Sequence, residues 1–294
     1  MQTDVNTIRQ INMNDRVCMI TGANSGIGKA TATELAKMGA TVVMVCRNQR
    51  KGEAALSEVK KESGNESIDL LLADLSSMQS VRQMADVFRT KYSRLHVLIN
   101  NAGLFNIRRH PTADGYEMTF AINYLSSFLL TNLLLERLKA SAPSRIVNVS
   151  SVAHYGGHIN FDNLQAGRVY SGVSAYAQSK LALVLFTHEL ARKLQGSGVT
   201  VNSLHPGAVA TNIWSRPMGP MGFIMTLPKL FMARPKKGAE TVVYLASSTD
   251  VEGVSGEYFE KMKVKKSSLE SYDKGVAERL WYVSVRLTNL DSGI

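Results

Sequence analysis

The chain has 294 residues and carries 34 Lys+Arg against 24 Asp+Glu, so its formal net charge is +10. Hydrophobic residues make up 45% of the sequence and charged residues 20%, a globular composition that excludes a largely disordered chain. Its two cysteines, Cys18 and Cys46, exclude a disulfide framework, and no run of about 18 apolar residues predicts a membrane span.

Short apolar runs alternate with amphipathic stretches of helical length. The runs predict strands buried on both faces at Val17–Thr21, Thr41–Cys46, Ile68–Ala73, Val97–Asn100, Arg145–Ser150 and Val199–His205, with an edge strand at Glu257–Phe259. The stretches predict helices at Gly26–Met38, Gln49–Glu62, Met78–Tyr92, Gly115–Leu138, Ser174–Leu194 and Lys237–Ser247. This alternation predicts an α/β fold, a doubly wound parallel sheet of about seven strands with helices on both faces.

Two long segments interrupt the alternation. Residues 151–173 are polar, whereas residues 216–235, RPMGPMGFIMTLPKLFMARP, are rich in Met and Phe. Because long loops in compact domains are usually functional, we predict a substrate lid around 212–236, with an ordinary packed insertion as the alternative. No repeat or linker marks a boundary, so we expect one domain over 1–294 with a C-terminal extension around 260–294.

The first predicted strand runs into a glycine-rich turn, Thr21-Gly-Ala-Asn-Ser-Gly-Ile-Gly28, and a helix follows. Glycines let the backbone approach a pyrophosphate, and N–H groups at the helix N-terminus face its negative charge. Because a strand and a helix flank the glycines, we predict a Rossmann-type dinucleotide site in preference to a tight turn without a ligand. Its residues are Gly22, Asn24, Ser25, Gly26, Ile27 and Gly28.

The second predicted strand ends at Arg47 and Asn48, where a site for NAD would carry an acid. The planar guanidinium of Arg47 suits a 2′-phosphate instead, so the predicted cofactor is NADP(H). Other nearby positive charges, each also typical of a solvated surface, are Lys29, Arg50 and Lys51.

Tyr176 and Lys180 lie four residues apart on a predicted helix and so share one face. A phenol has a pKa of about 10, which a neighbouring ammonium lowers by stabilising the phenolate. We therefore expect Lys180 to lower the pKa of Tyr176 and Tyr176 to act as general acid or base. Ser150 and Ser151 end the fifth strand, at the sheet edge where such folds bind ligands, and offer a hydroxyl to a carbonyl oxygen.

Four motifs in order along the chain resemble the short-chain dehydrogenase/reductase family over about residues 15–285: Thr21-Gly-x-x-x-Gly-Ile-Gly28, Asn100-Asn-Ala-Gly103, Tyr176-x-x-x-Lys180 and His205-Pro-Gly207. The resemblance implies hydride transfer at a nicotinamide. It also implies a catalytic set in which Ser151, the second serine of its pair, and Asn123, a helix-shaping residue that holds a water, join Tyr176 and Lys180.

The resemblance further implies cofactor contacts beyond the glycine-rich turn. Lys180 would bond the nicotinamide ribose, Asp74 would contact the adenine, and residues 206–211 would border the nicotinamide. The implied contacts are Asp74, Leu75, Asn101, Ala102, Gly103, Tyr176, Lys180, Pro206, Gly207, Val209 and Thr211.

Stretches outside these motifs are similar to the NADP-linked branch of the retinol dehydrogenases, among them Val147-Asn-Val-Ser-Ser-Val-Ala-His154 and Glu278-Arg-Leu-Trp281. This similarity implies an NADP(H)-dependent oxidoreductase that interconverts a lipophilic aldehyde or ketone and its alcohol beneath a Met-rich lid. A non-catalytic nucleotide-binding regulatory protein is the alternative, which the complete catalytic set disfavours.

The sequence gives no indication of a metal or nucleic-acid partner. No cluster has metal-ligand spacing and no nucleic-acid motif accompanies the charge, so we expect neither partner. The polar start, residues 1–14, predicts a cytoplasmic location, with peripheral membrane contact through the lid as an alternative. The family resemblance implies a candidate homodimer interface on helices 115–138 and 174–194. His154, Tyr155 and His158 are interpreted as residues at the cleft mouth, and His205 as a structural or cofactor-wall residue.

Overall fold

The structure, a computed structural model, describes residues 11–207 and 235–290 of the chain. Its centre is an eight-stranded sheet in the order β3-β2-β1-β4-β5-β6-β7-β8. The strands are β1 (Val17–Thr21), β2 (Thr41–Cys46), β3 (Ile68–Leu72), β4 (Val97–Asn100), β5 (Ser144–Val149), β6 (Val199–His205), β7 (Tyr258–Glu260) and β8 (Lys263–Lys265). Strands β1 to β7 are parallel and β8 is antiparallel to β7. The predicted doubly wound sheet is confirmed, with one strand beyond the seven expected.

Helices pack on both faces of this sheet. The α-helices are α1 (Gly26–Lys37), α2 (Gln49–Ser63), α3 (Met78–Lys91), α4 (Met118–Phe120), α5 (Ser126–Leu133), α6 (Leu135–Lys139), α7 (Gly172–Lys193), α8 (Pro235–Ser247) and α9 (Lys274–Leu287). Short 3-10 helices lie at Val152–Gly156, Phe161–Asn163, Thr249–Val251 and Leu269–Tyr272.

Strand β2 shows why the sheet is covered on both sides. Val43 and Val45 belong to one buried hydrophobic cluster, whereas Val42 and Met44 belong to the other. Successive side chains of a strand point to opposite faces, so an uninterrupted apolar run supplies both cores at once.

The parallel strands all end at one edge of the sheet. Strand β1 pairs with β2 on one side and with β4 on the other, so the strand order reverses beside β1. A crevice at such a reversal is where doubly wound folds bind ligands. The glycine-rich turn after β1, the segment after β4 and Ser151 after β5 therefore meet at one place.

The predicted helix Gly115–Leu138 differs from the structure in its details. Helix α4 begins at Met118 because the Glu117 carboxylate caps it, accepting two first-turn N–H groups at 2.9 and 2.7 Å. The chain then widens into a π-helical turn at Ala121–Leu125 before α5 begins. This turn holds Asn123, and π-helical turns occur frequently at functional sites.

The C-terminal extension contains β8 and α9, neither of which the sequence pattern predicted. Trp281 of α9 packs edge-on against Phe128 of α5, with ring centroids 5.0 Å apart. It also packs against Phe186 of α7 in a tilted arrangement, with ring centroids 5.9 Å apart. The hydroxyls of Tyr124 and Ser284 are 2.7 Å apart. Helix α9 therefore covers part of the face that the family resemblance assigned to a homodimer interface.

In residues 11–207 and 235–290, every helix is too short or too polar to cross a lipid bilayer. The predicted lid around 212–236 lies outside the described residues, apart from Pro235 and Lys236 at the start of α8.

Candidate active site

The turn between β1 and α1 uses glycine where a side chain would not fit. Gly22 and Gly26 have φ values of +68° and +57°, in the left-handed region that favours glycine. A Cβ on Gly28 would lie 2.4 Å from the carbonyl oxygen of Gly22 and 2.5 Å from Nδ2 of Asn101. Asn101 Nδ2 donates to the carbonyl oxygen of Thr21 at 2.7 Å. Glycine at position 28 therefore lets the start of α1 pack closely against Gly22 and Asn101.

Helix α1 begins without a side-chain cap. Its N-cap residue Ser25 has an extended backbone, and its side chain accepts no hydrogen bond from the helix. The N-cap side chains of α2, α3, α7 and α9 each accept a first-turn N–H group. The first turn of α1 contains no acid, so its N–H groups and positive dipole end fit the phosphates of a dinucleotide. The turn carries all the predicted residues Gly22, Asn24, Ser25, Gly26, Ile27 and Gly28.

We expect Gly28→Ala to lower the free energy of unfolding by about 1–3 kcal/mol, because the new methyl group would overlap the Gly22 carbonyl oxygen. Urea denaturation followed by circular dichroism measures this loss. Gly275→Ala in α9 is the matched control. A Cβ on Gly275 would lie 3.4 Å from the nearest atom, a carboxylate oxygen of Asp273, so the substitution causes little overlap. A Gly28→Ala variant as stable as the parent would contradict the close packing of this turn.

Arg47 follows β2 at the same edge of the sheet. Its guanidinium side chain is 62% exposed, and Nη1 lies 3.8 Å from Oδ2 of Asp74. The other Asp74 oxygen accepts the Ser76 N–H at 3.0 Å, which fixes the carboxylate. Because the guanidinium is exposed and its carboxylate partner among the described residues is 3.8 Å away, its N–H groups are available to donate to a 2′-phosphate. The Oδ1 of Asn48 is engaged in capping α2, where it accepts the Lys51 N–H at 2.9 Å, so Nδ2 is the end of that amide left for a ligand.

Three of the four side chains predicted to be catalytic meet where β5 and α7 are adjacent. The phenol of Tyr176 lies near the hydroxyl of Ser151, close enough for that hydroxyl to lower the pKa of the phenol. Lys180 Nζ lies 5.7 Å from the centroid of the Tyr176 ring and donates to the carbonyl oxygen of Val149 at 2.9 Å. The hydroxyl of Ser150 donates to the backbone of α7 at the Lys180 carbonyl oxygen, which leaves Ser151 as the serine that reaches the phenol.

Asn123, the fourth predicted residue, is fully buried in the π-helical turn. Its Oδ1 accepts the Leu104 N–H at 2.8 Å, and its Nδ2 donates to the Leu104 carbonyl oxygen at 3.0 Å. The same Nδ2 donates at 2.9 Å to Ser179, whose hydroxyl donates to the Tyr176 carbonyl oxygen. Sequence reasoning missed Ser179, although its place three residues after the predicted tyrosine was a usable signal.

The electrostatics of this cluster differ from the prediction. Burial raises the pKa of the Tyr176 phenol, and the neighbouring Ser151 hydroxyl offsets this only in part. Burial lowers the pKa of Lys180 to about 8. The prediction that Lys180 lowers the phenol pKa is therefore wrong for this geometry, because removal from water dominates both groups.

The segment after β4 joins the two halves of the site. The Thr21 hydroxyl accepts the N–H groups of Asn101 and Ala102, both at 3.0 Å. A Cβ on Gly103 would lie 3.3 Å from Lys180 Nζ, so a small residue is needed there. Thr21 is a second residue that sequence reasoning missed as a site component, and its position directly before the first glycine was the available signal.

The histidines after Ser151 are arranged differently from the prediction. His154 is fully buried, so its interpretation as a residue of the cleft mouth is wrong. Tyr155 is 49% exposed, and the side chain of His158 is exposed and bonded to Glu270 at 2.9 Å. Burial lowers the pKa of His205, and its buried Nδ1 has no partner within the part of the chain that the structure describes.

The remaining predicted cofactor contacts lie partly within and partly outside the described residues. Asp74 and Leu75 follow β3, and Pro206 and Gly207 follow β6, all at the carboxyl edge of the sheet. Val209 and Thr211 lie outside the described residues. Among residues 11–207 and 235–290, no three His, Cys, Asp or Glu side chains form a group that could hold a metal ion.

Fold, turn and polar cluster together define a dinucleotide-dependent oxidoreductase, and residues 16–217 match the short chain dehydrogenase family. The chain belongs to this family. It is therefore an oxidoreductase that acts on CH–OH groups, in a family that uses nicotinamide cofactors.

Individual relatives show which branch of the family the chain belongs to. The chain is 46% identical to retinol dehydrogenase 13 of Homo sapiens over 284 residues, which covers 94% of this chain and 86% of that protein. It is also 46% identical to human retinol dehydrogenase 11 over 275 residues, covering 94% of this chain and 86% of that protein. The chain thus falls in the retinol dehydrogenase-like branch of the family.

Solved structures show the same fold. An uncharacterized protein from Mycobacterium paratuberculosis superposes with a TM-score of 0.79 at 35% identity, covering 98% of this chain and 97% of that one. A short chain dehydrogenase from Escherichia coli CFT073, complexed with NADPH, superposes with a TM-score of 0.68 at 26% identity, covering 84% and 97%.

Proposed function

We propose that this chain is one NADP(H)-binding domain that interconverts lipophilic aldehydes or ketones and their alcohols. The observation that carries the proposal is the proximity of the Tyr176 phenol, the Ser151 hydroxyl and the buried Lys180, at the sheet edge that also holds the uncapped N-terminus of α1. A non-catalytic nucleotide-binding protein has no use for such a phenol, which disfavours that alternative.

The chemistry at the substrate oxygen follows from two hydroxyls. Ser151 donates a hydrogen bond to this oxygen and stabilises the negative charge that develops there. The phenol of Tyr176 lies near the Ser151 hydroxyl, so it can reach the same oxygen and give it a proton in reduction or take one in oxidation. A nicotinamide held at this sheet edge would supply or accept the hydride.

Lys180 and Asn123 support this proton transfer. With a pKa of about 8, Lys180 is largely protonated at neutral pH. One of its N–H groups is used by Val149, which leaves donors for a ribose hydroxyl of the cofactor. Asn123 bonds the π-helical turn to Leu104 and to Ser179 of α7, which fixes the backbone beside the proton-transferring side chains.

Arg47 supports the choice of NADP(H). The position that carries an acid in NAD sites holds an exposed guanidinium with its only carboxylate partner, among the described residues, at 3.8 Å. Arginine is suited to phosphate because it can form two parallel charged hydrogen bonds.

The substrate class is proposed from the relatives' names and from one aromatic contact. Phe105 packs edge-on against the Tyr176 ring, with centroids 5.8 Å apart, so an apolar wall adjoins the reactive phenol. The predicted lid adds Met and Phe side chains from the sequence. Retinaldehyde and medium-chain aldehydes fit this setting better than short polar ones.

We expect kcat/KM for aldehyde reduction to rise about fourfold with each added methylene until the pocket is filled, because each buried methylene contributes about 0.8 kcal/mol. NADPH consumption across an aldehyde series, with retinaldehyde included, measures this slope. Glyceraldehyde, short and polar, serves as the control substrate. Equal kcat/KM values along the series would contradict the apolar substrate class.

A further inference from the structure

The loop that presents Ser151 is held by one buried side chain. After Ser151 the chain turns through the 3-10 helix Val152–Gly156, and Ser151 Oγ accepts the Ala153 N–H at 3.2 Å. The carbonyl oxygen of Ser151 receives two hydrogen bonds from His154, one from its backbone N–H at 3.1 Å and one from Nδ1 at 2.7 Å. His154 therefore sets the orientation of the peptide that carries the serine.

These contacts determine the tautomer of His154. A carbonyl oxygen only accepts, so Nδ1 carries the proton and Nε2 is the lone-pair nitrogen. Nε2 accepts the backbone N–H of Ser268 at 3.2 Å. An imidazolium would place an N–H at Nε2 directly against the Ser268 donor, so this geometry requires the neutral ring.

The surroundings keep the ring neutral. His154 is fully buried, between the rings of Tyr155 at 4.1 Å and Tyr258 of β7 at 4.6 Å. Burial lowers the pKa of His154; the hydrogen bond to the Ser151 carbonyl oxygen offsets this only in part, and nearby His188 of α7 lowers the pKa further. The titratable groups that face the ring are Tyr155, Tyr258, His188 and His205.

Ser268 belongs to residues 266–272, which we call the C-terminal segment. Further contacts seat it against the same loop: Tyr155 donates to the Lys266 carbonyl oxygen, and the Ile159 N–H donates to Glu270 at 2.9 Å. Nδ1 of His188 donates to the Ser271 carbonyl oxygen at 2.7 Å. Within this network His154 is the side chain that bonds both to Ser151 and to the C-terminal segment.

We propose that His154 is a positioning residue for Ser151 and that the C-terminal segment is thereby part of the active-site framework. The inference rests on the proposed function, because it assigns Ser151 its role at the substrate oxygen. The neutral imidazole ties Ser151 to Ser268. Protonation of His154 turns Nε2 from an acceptor into a donor and breaks the bond to Ser268. The peptide of Ser151 is then no longer tied to the C-terminal segment.

Three substitutions of His154 separate its two bonds. His154→Phe removes both, and we expect kcat to fall about 10- to 100-fold with NADPH affinity unchanged, since small misplacements of a catalytic group cost that much. His154→Asn keeps a donor near Nδ1, and His154→Gln keeps an acceptor near Nε2, so each retains one bond and an intermediate kcat. His110→Asn, at an exposed histidine outside this network, is the control, with kcat near that of the parent.

The pH profile provides a readout that a merely structural role would not change. The pKa of folded His154 lies below its ordinary value, so the parent should lose kcat only at pH values below the range in which a free imidazole titrates. We expect this acidic decline to be absent in His154→Asn, which cannot titrate. An unchanged kcat in His154→Phe, or an unchanged acidic decline in His154→Asn, would overturn the proposal.

Hydrogen exchange tests the link independently of turnover. In His154→Phe, peptides covering 150–158 and 264–272 should exchange faster together, whereas peptides from β1 to β3 should not change. Unchanged exchange in both peptides overturns the inference. If the parent protein reduces no aldehyde in the substrate series, the proposed function fails, and the exchange result still decides whether His154 joins the loop to the C-terminal segment.

Discussion

Tyr176→Phe is expected to lower kcat by about 10²- to 10⁴-fold, because the variant loses the group that exchanges a proton with the substrate oxygen. The ring itself remains, so its edge-on contact with Phe105 and the packing of α7 are preserved. NADPH affinity should stay close to that of the parent. Steady-state rates with a medium-chain aldehyde, together with NADPH titration by tryptophan fluorescence, measure both quantities.

The control for this substitution is Tyr282→Phe, which removes a hydroxyl from a side chain that is 70% exposed on α9. It should leave rate and affinity unchanged. If Tyr176→Phe retains parental turnover, the proton passes through another group and the proposed mechanism fails. A loss of NADPH binding equal to the loss of rate would instead assign Tyr176 to cofactor binding alone.

Arg47→Asp should reverse the cofactor preference. The substitution removes charged hydrogen bonds, each worth about 1.5–3 kcal/mol, and places a carboxylate where a 2′-phosphate would lie. NADPH should bind about 10- to 100-fold more weakly. NADH should bind more tightly, since a carboxylate can accept hydrogen bonds from an unmodified ribose. Dissociation constants for both nucleotides, measured by titration calorimetry, give the ratio.

Lys61→Asp changes the net charge by the same amount at the opposite end of α2, so it controls for long-range electrostatics. Its nucleotide preference should match that of the parent. If the Arg47→Asp variant retains the parent's preference for NADPH, the 2′-phosphate is recognised elsewhere.

Much of the sheet could be predicted from local sequence. Strands β1, β2, β4 and β6 begin and end at the predicted residues, because a strand buried on both faces is a short run of apolar and β-branched residues between polar ones. The order of strands and helices then places their carboxyl ends at one edge. For this reason Ser151 and Tyr176 could be assigned to one site before any contact was known.

The rest depended on contacts between distant segments. The π-helical turn at Ala121–Leu125 has no local signal, since its residues would also suit an ordinary helix. Its Asn123 is bonded to Leu104 and Ser179, which lie in other parts of the chain. Helix α9 is amphipathic, but the partners of its Trp281 belong to α5 and α7. The periodic pattern of α9 shows that one of its faces is apolar, but it does not show which helices pack against that face.

By itself, the sequence determined the doubly wound fold, the glycine-rich turn and the identity of the polar side chains at its edge, because these follow from periodicity and from the order of elements. Only the tertiary structure decided their protonation. Burial raises the pKa of Tyr176, lowers that of Lys180 to about 8 and keeps His154 neutral against Ser268. Removal of a group from water is a property of packing by distant segments, and one-dimensional spacing does not contain it.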